Sequence, residues 1–243
     1  MMTSSMVGSR ILAALAQVRD PELDEPITTL GFVASASLDA DGTAEVHLRL
    51  PTYFCAPNFA YLMVADAYDS VSALDDVHAT TVILDDHFAS EAINEGVAAR
   101  AGFVRSFEGE AVGELDQLRA DFLRKSVMAG TDVVCRPLGL PPEALAAARL
   151  GDLPPSEALD RLRRRRRELG LPSDDDAPLL IDPKSGAPIG AGAVPLHLRK
   201  ARLTRTSLDA NTGICRGMLR HRYSTDGQGE DPSDRPAHHP RVD

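Results

Sequence analysis

The chain has 243 residues, 43% of them hydrophobic, 5% aromatic and none Trp, with a formal net charge of −10. That is enough for one large domain, or a small domain plus an extension, and no apolar run approaches the roughly 20 residues that span a bilayer. The charge is uneven: residues 1–130 hold 8 Lys+Arg against 20 Asp+Glu, a net of −12, and the remainder nets +2, so the first half lacks the clustered cations that nucleic-acid phosphates require.

The N-terminal stretch "MMTSSMVGSRILAALAQVRD" lacks the basic start and long apolar centre of a signal peptide. The expectation is a cytoplasmic protein with neither a membrane nor a nucleic acid as partner. Within that stretch, "SRILAALAQV" (9–18) places Ile11, Leu12, Leu15 and Val18 on one helical stripe. "RDPELDEP" follows as an acidic loop stiffened by two prolines. "ITTLGFVASASL" reads as a turn into a strand, "DADG" as a hairpin turn, and "TAEVHLRL" as a strand. That strand alternates Val46, Leu48 and Leu50 against His47 and Arg49, the pattern of a sheet with one wet face.

"NFAYLMVADAYDSVSAL" is predicted to be a helix with Asn58 as N-cap and Phe59, Leu62, Met63, Val71 and Leu74 inward. "DDVHATTVIL" gives another strand, and Ser90 caps a helix near 91–101. The order is helix, strand, strand, helix, strand. It predicts an α+β fold: a small mixed or antiparallel sheet with helices on one face, over residues 8–103.

Residues 104–130 read as one helix ending at Gly130, with Leu115, Leu118, Phe122 and Val127 inward. "PPEALAAARL" and "PSEALDRLRRRRREL" read as two more helices, which completes a helical extension over 104–170. The run "RLRRRRREL" (161–169) is the one basic cluster. Five consecutive arginines circle a helix, so they form no single binding face, and a solvated helix is expected. Residues 171–223 are expected to be Gly/Pro-rich short strands and turns, and residues 224–243 a disordered tail.

Three cysteines, Cys55, Cys135 and Cys215, lie far apart in the chain. Their number and spacing argue against a disulfide framework or a CxxC zinc knuckle. Cys135 follows an apolar stretch and reads as a core residue. Cys215 has Arg216 and His221 nearby and could join a site. Cys55 lies in "LPTYFCAPNF" (50–59), between a strand and a helix. A thiol near a helix N-terminus feels the helix dipole and free N–H groups, which favour the thiolate that a soft metal or an iron–sulfur cluster needs. Thr52 could hydrogen-bond the sulfur. Spacing alone leaves open a small buried residue in a tight turn. Asp20 and Glu22, around Pro21, form a second candidate, alongside an ordinary helix-ending turn. Asp85, Asp86 and His87 end the last strand, where His87 is either a second metal ligand or a surface imidazole.

In order, "VRDPEL" (18–23), "ITTLGFV" (27–33), "LPTYFCAP" (50–57) and "VHATTVIL" (77–84) resemble the iron–sulfur cluster assembly family of metal–sulfur cluster assembly factors. The likeness runs from Ile11 to about Asn94, about a third of the chain. It implies a small α/β domain that assembles or delivers iron–sulfur clusters or iron centres on a client protein, with a metal-dependent oxygenase as the client class suggested by analogy. In that family the loop cysteine handles the metal or cluster, and it matches Cys55; the family's Asp-Pro-Glu matches Asp20, Pro21 and Glu22, and its Thr matches Thr52. The implied cofactor is a transiently bound iron–sulfur cluster or iron. The implied partners are a client metalloprotein and other cluster-assembly proteins, with a homodimer as a further possibility. Two features depart from the family: Ala56 separates Cys55 from Pro57, and "DDHF" (85–88) stands where a Pro-Trp type sequence is common. A thiol-nucleophile enzyme using Cys55 with His87 or His47, and a metal-free partner-binding scaffold, are the competing functions.

Overall fold

A computed structural model of the protein describes residues 4–111 and 113–224. From residue 225 onward, the predicted tail lies outside the described residues. Helix α1 (Ser4–Leu15) buries Ile11 and Leu15, and Val18 continues the stripe just past its end. Leu12 is instead exposed, because it stands about 100° round the helix from Ile11. Ile27–Leu30 forms a single helical turn, α2, closed by Gly31 at φ 80°. That left-handed backbone suits glycine, and a Cβ at Gly31 would stand 3.2 Å from Leu219 Cδ2.

Strands β1 (Val33–Leu38) and β2 (Thr43–Leu48) form the predicted hairpin. Asp39 Oδ1 accepts from the N–H groups of Asp41 and Thr43 at 3.0 and 2.8 Å and so fixes the turn. Ala44, Val46 and Leu48 are buried while Glu45 is exposed. Helix α3 (Pro57–Ser72) then crosses to β3 (Ala79–Leu84), which pairs parallel with β2. The result is a mixed three-stranded sheet in the order β1-β2-β3. Helix α4 (Ser90–Ala98) packs on α3 and β3. The α+β class and element order are those the sequence predicts. Ser90 is not the cap; it is the first helical residue after Ala89.

Beyond this sheet, the segment expected as one helix over 104–130 is two. Helix α5 (Phe103–Ser106) sets Phe103 on Tyr61 and Phe107, at ring separations of 5.5 and 4.8 Å. Helix α6 (Asp116–Cys135) runs straight through Gly130. A Cβ at Gly130 would lie 3.4 Å from Leu162, so this glycine serves close helix packing rather than a helix end. Helices α7 (Pro142–Ala147) and α8 (Glu157–Glu168) follow as predicted, the latter capped by Ser156 Oγ, which accepts from Leu159 N–H at 3.2 Å.

The largest difference is at 194–223. This stretch is a 30-residue helix, α9 (Val194–Tyr223), not strands and turns. Its inward positions, Val194, His197, Ala201, Thr212 and Leu219, are buried, but they mix polar with apolar side chains and include no continuous hydrophobic stripe. Pro195 is tolerated in the first turn. Gly213 and Gly217 each cost a helix about 1 kcal/mol, which packing against α6 and the first domain offsets.

Two hydrophobic cores result. The first fills the space between the sheet and α1, α3 and α4, and it also takes in Leu219 from α9. The second joins Val127, Val134 and Cys135 of α6 to Leu159 and Leu162 of α8, to Leu179 and Leu180, and to Val194. The arginine run is not wholly solvated: Arg165 is 6% exposed and Arg166 is fully buried. A run that circles a helix must turn some members inward once the helix packs. Several ties cross between the cores. Arg119 grips Asp66 through two hydrogen bonds of 2.7 Å, Arg165 pairs with Asp24, and Phe59 meets Phe122 edge-on at 5.0 Å. Among the described residues, no helix is long and apolar enough to cross a membrane.

Candidate functional site

Cys55 sits where the chain leaves the sheet. Asn58 does not cap α3; Ala56 is the N-cap, at φ −60° and ψ 128°, and Pro57 is the first helical residue. Proline forces the residue before it into extended geometry and suits the first helical position. The inserted Ala56 is thereby absorbed as the cap, and Cys55 stands one residue outside the helix, half-buried. The Thr52 hydroxyl oxygen is 3.3 Å from Cys55 Sγ and also accepts from Phe54 N–H at 3.2 Å. Its proton is therefore free to point at the sulfur.

The loop after β3 holds this turn in place. Phe88 N–H donates to the Tyr53 carbonyl at 3.1 Å, and His87 Nε2 donates to the Cys55 carbonyl at 2.7 Å. His87 Nδ1 accepts from Ala89 N–H at 3.1 Å. Both ring nitrogens of this buried imidazole are thus committed to backbone, and the side chain braces the cysteine loop. Burial holds the His87 pKa below its ordinary value, against the pull of the Cys55 carbonyl, and the Arg222 charge pushes the same way as burial. A depressed folded-state pKa means the neutral ring's contribution is present above pH about 6.5 and is lost as pH falls below it. His87→Ala is expected to free the loop and speed alkylation of Cys55 by iodoacetamide several-fold. His87→Gln, which keeps an N–H donor, should stay near the wild-type rate; equal rates in all three proteins would show that the ring braces nothing.

The second predicted imidazole is placed elsewhere. His47 Nδ1 meets both Asp85 oxygens at 3.0 and 3.1 Å, and its Nε2 is 3.3 Å from Glu45. The Asp85 hydrogen bond, above all, raises its pKa. Neither imidazole hydrogen-bonds the Cys55 sulfur among the described residues. Around the thiol, Tyr53, Phe54 and Phe88 are 44%, 77% and 50% exposed, with ring separations of 5.0 to 6.3 Å. The expected loop thiol therefore lies beside an aromatic patch, which the sequence reading missed although "YF" and "HF" announce its members.

Asp20 is 8% exposed and accepts from Glu22 and Leu23 N–H groups at 2.9 and 2.8 Å. Burial pushes its pKa up to about 6 in spite of those two bonds. The sign follows: an acid whose folded pKa lies above its unfolded value stabilises most when protonated, and that stability is lost as pH rises from 3.8 through 6. The loss amounts to about 3 kcal/mol. Asp20→Asn keeps the oxygen acceptor and removes the charge. It is expected to raise stability at pH 7 and to flatten the melting temperature between pH 4 and 7; an unchanged pH profile would show that Asp20 is not the group responsible.

Helix α9 crosses over these loops. Asn211 Nδ2 lies 3.4 Å from Glu22 Oε1, and Arg222 donates to the Leu50 and Asp86 carbonyls at 3.0 and 2.7 Å. Cys215 on the same helix has its thiol pushed up to about 11, by burial first and then by Asp20, Cys55 and Glu22. It therefore lies within electrostatic reach of all three. Cys135 is buried in the second core, where burial raises its thiol to about 12. Among the described residues, no three His, Cys, Asp or Glu side chains form a group that could hold a metal ion.

Part of this region resembles a known family. Residues 9–83 match the iron-sulfur cluster assembly protein family. The matched segment runs from α1 to β3 and contains Asp20, Glu22, Thr52 and Cys55. A crystal structure titled as a domain of unknown function, DUF59, from Bacillus anthracis is similar to this chain at 23% identity; the alignment covers 40% of this chain and 92% of that one, with a TM-score of 0.32. No curated protein matches the chain. The family suggests a role in iron–sulfur cluster assembly.

Proposed function

We propose that the assembly domain holds iron or an iron–sulfur cluster transiently at Cys55 and passes it to a client metalloprotein. The extension over residues 104–223 recognises that client or another cluster-assembly protein. One observation supports this above the rest: the family-matched loop presents a half-buried thiol, with a hydroxyl at its sulfur, beside three exposed aromatic rings. Thiolates are the ligands that soft metals and clusters take, and Thr52 O–H is placed to donate to the thiolate. Exposed aromatic patches mark protein contacts, so cargo and recipient would meet at the same place. A metal-dependent oxygenase is the client class that the family resemblance brings to mind.

Transfer tests this. Protein loaded anaerobically with iron and sulfide should pass its cluster to an apo-ferredoxin, read from the acceptor's visible circular dichroism. Cys55→Ser should reduce transfer to the rate of free iron and sulfide. Transfer by that variant at the wild-type rate would refute the proposal.

A further inference from the structure

Helix α9 carries Asn211, Cys215, Leu219 and Arg222 at positions i, i+4, i+8 and i+11, which share one helix face. Three of the four have partners that fix where this face lies. Asn211 meets Glu22, 3.4 Å away in the Asp-Pro-Glu loop. Leu219 is buried in the first core. Arg222 donates at 3.0 Å to the carbonyl of Leu50, two residues before Thr52. Cys215 lies one turn after Asn211 and one turn before Leu219, so it faces the gap between the Asp-Pro-Glu loop and the cysteine loop. It is half-buried and packs against the same core as Cys55.

We infer that Cys215 and Cys55 form a two-thiol half-site, in which helix α9 supplies a second sulfur to the metal or cluster handled at Cys55. This rests on the reading of Cys55 given above and adds a ligand from outside the family-matched segment. Two thiolates neutralise a divalent cation, and the two protons they release go to the buffer. With no third His, Cys, Asp or Glu close enough among the described residues, the remaining ligands come from water, a small thiol or the recipient protein. A half-site of this kind holds its cargo without enclosing it, as transfer requires.

Cobalt(II) is the probe. Under argon, the full chain titrated with Co(II) alone should develop a sulfur-to-metal charge-transfer band of the strength given by two thiolates. Cys215→Ser and Cys215→Ala should each leave about half the band per bound ion and weaken binding about tenfold or more. Cys55→Ser should do the same, the double variant should lose the band, and Cys135→Ala should match wild type. Melting curves identify the Cys215 variant that keeps the wild-type fold. If that variant retains the full band and affinity while Cys55→Ser loses them, the half-site is wrong and the Cys55 reading stands. If Cys55→Ser also retains them, both fall.

Discussion

Arg166→Ala is expected to lower the stability of the helical extension by about 3–4 kcal/mol. Arg166 is fully buried in the second core, and its guanidinium donates to the carbonyls of Pro178 and Leu179 at 2.9 and 2.6 Å. Burial lowers its pKa to about 10, so it remains charged at neutral pH. Truncation to Ala leaves two buried carbonyls without these donors and removes most of a side chain from a packed interior. A lysine cannot substitute, because one ammonium does not reproduce the planar fork that reaches two carbonyls at once. Arg166→Lys should therefore recover less than half the loss. Denaturant unfolding with hydrogen exchange over residues 145–181 measures both. If Arg166→Ala stays within about 1 kcal/mol of wild type, the guanidinium does not organise this core.

Leu219→Asp is expected to detach the end of α9 and destabilise the N-terminal α+β domain by about 3–5 kcal/mol, because it buries a charge with no partner where a leucine filled space. Leu219 is 5% exposed and belongs to the first core although it comes from the far end of the chain. It packs over Gly31, in the middle of the "LGF" segment. The same helix end carries Arg222, which bridges the Leu50 and Asp86 carbonyls, and Tyr223, whose ring lies 4.7 Å from the Arg49 guanidinium. The loss should therefore appear in the N-terminal domain, as faster hydrogen exchange in the 50–57 and 85–89 loops, and not only in α9. Leu219→Ala should give a smaller loss of about 2–4 kcal/mol, from the cavity alone. Unchanged exchange in both loops would show that α9 contributes nothing to the site.

The N-terminal α+β domain was legible because its signals are local. Val46 and Leu48 alternate with Glu45 and His47, and Asp39–Gly42 spells a turn, so the hairpin followed from the chain itself. Cys55 was readable as a loop thiol for the same reason. What could not be read was set by distant packing. Arg165 and Arg166 look solvated until α8 packs, Arg165 against Asp24 and Arg166 against the carbonyls of Pro178 and Leu179. Helix α9 was hidden because its buried face is built from His197, Ala201, Thr212 and Cys215 as well as Val194 and Leu219, so no apolar period announces it. Two glycines and Pro195 point away from helix as well. His87 reads in the sequence as a second metal ligand or a surface imidazole; it is instead buried, and its brace depends on the positions of the Cys55 carbonyl and the Ala89 N–H, which carry no side-chain signature. The inserted Ala56 looked like a displacement of the thiol from its helix, and became the helix cap once Pro57 took the first helical position.

The central claim, that Cys55 is the ligand through which this protein carries its cargo, is tested most directly by counting iron and acid-labile sulfide. Wild-type protein, Cys55→Ser and Cys135→Ala should be reconstituted anaerobically, desalted, and analysed for both elements per chain. Wild type and Cys135→Ala are predicted to retain iron and sulfide with visible charge-transfer absorption, and Cys55→Ser to retain neither. Iron and sulfide in Cys55→Ser at the wild-type level would contradict the claim.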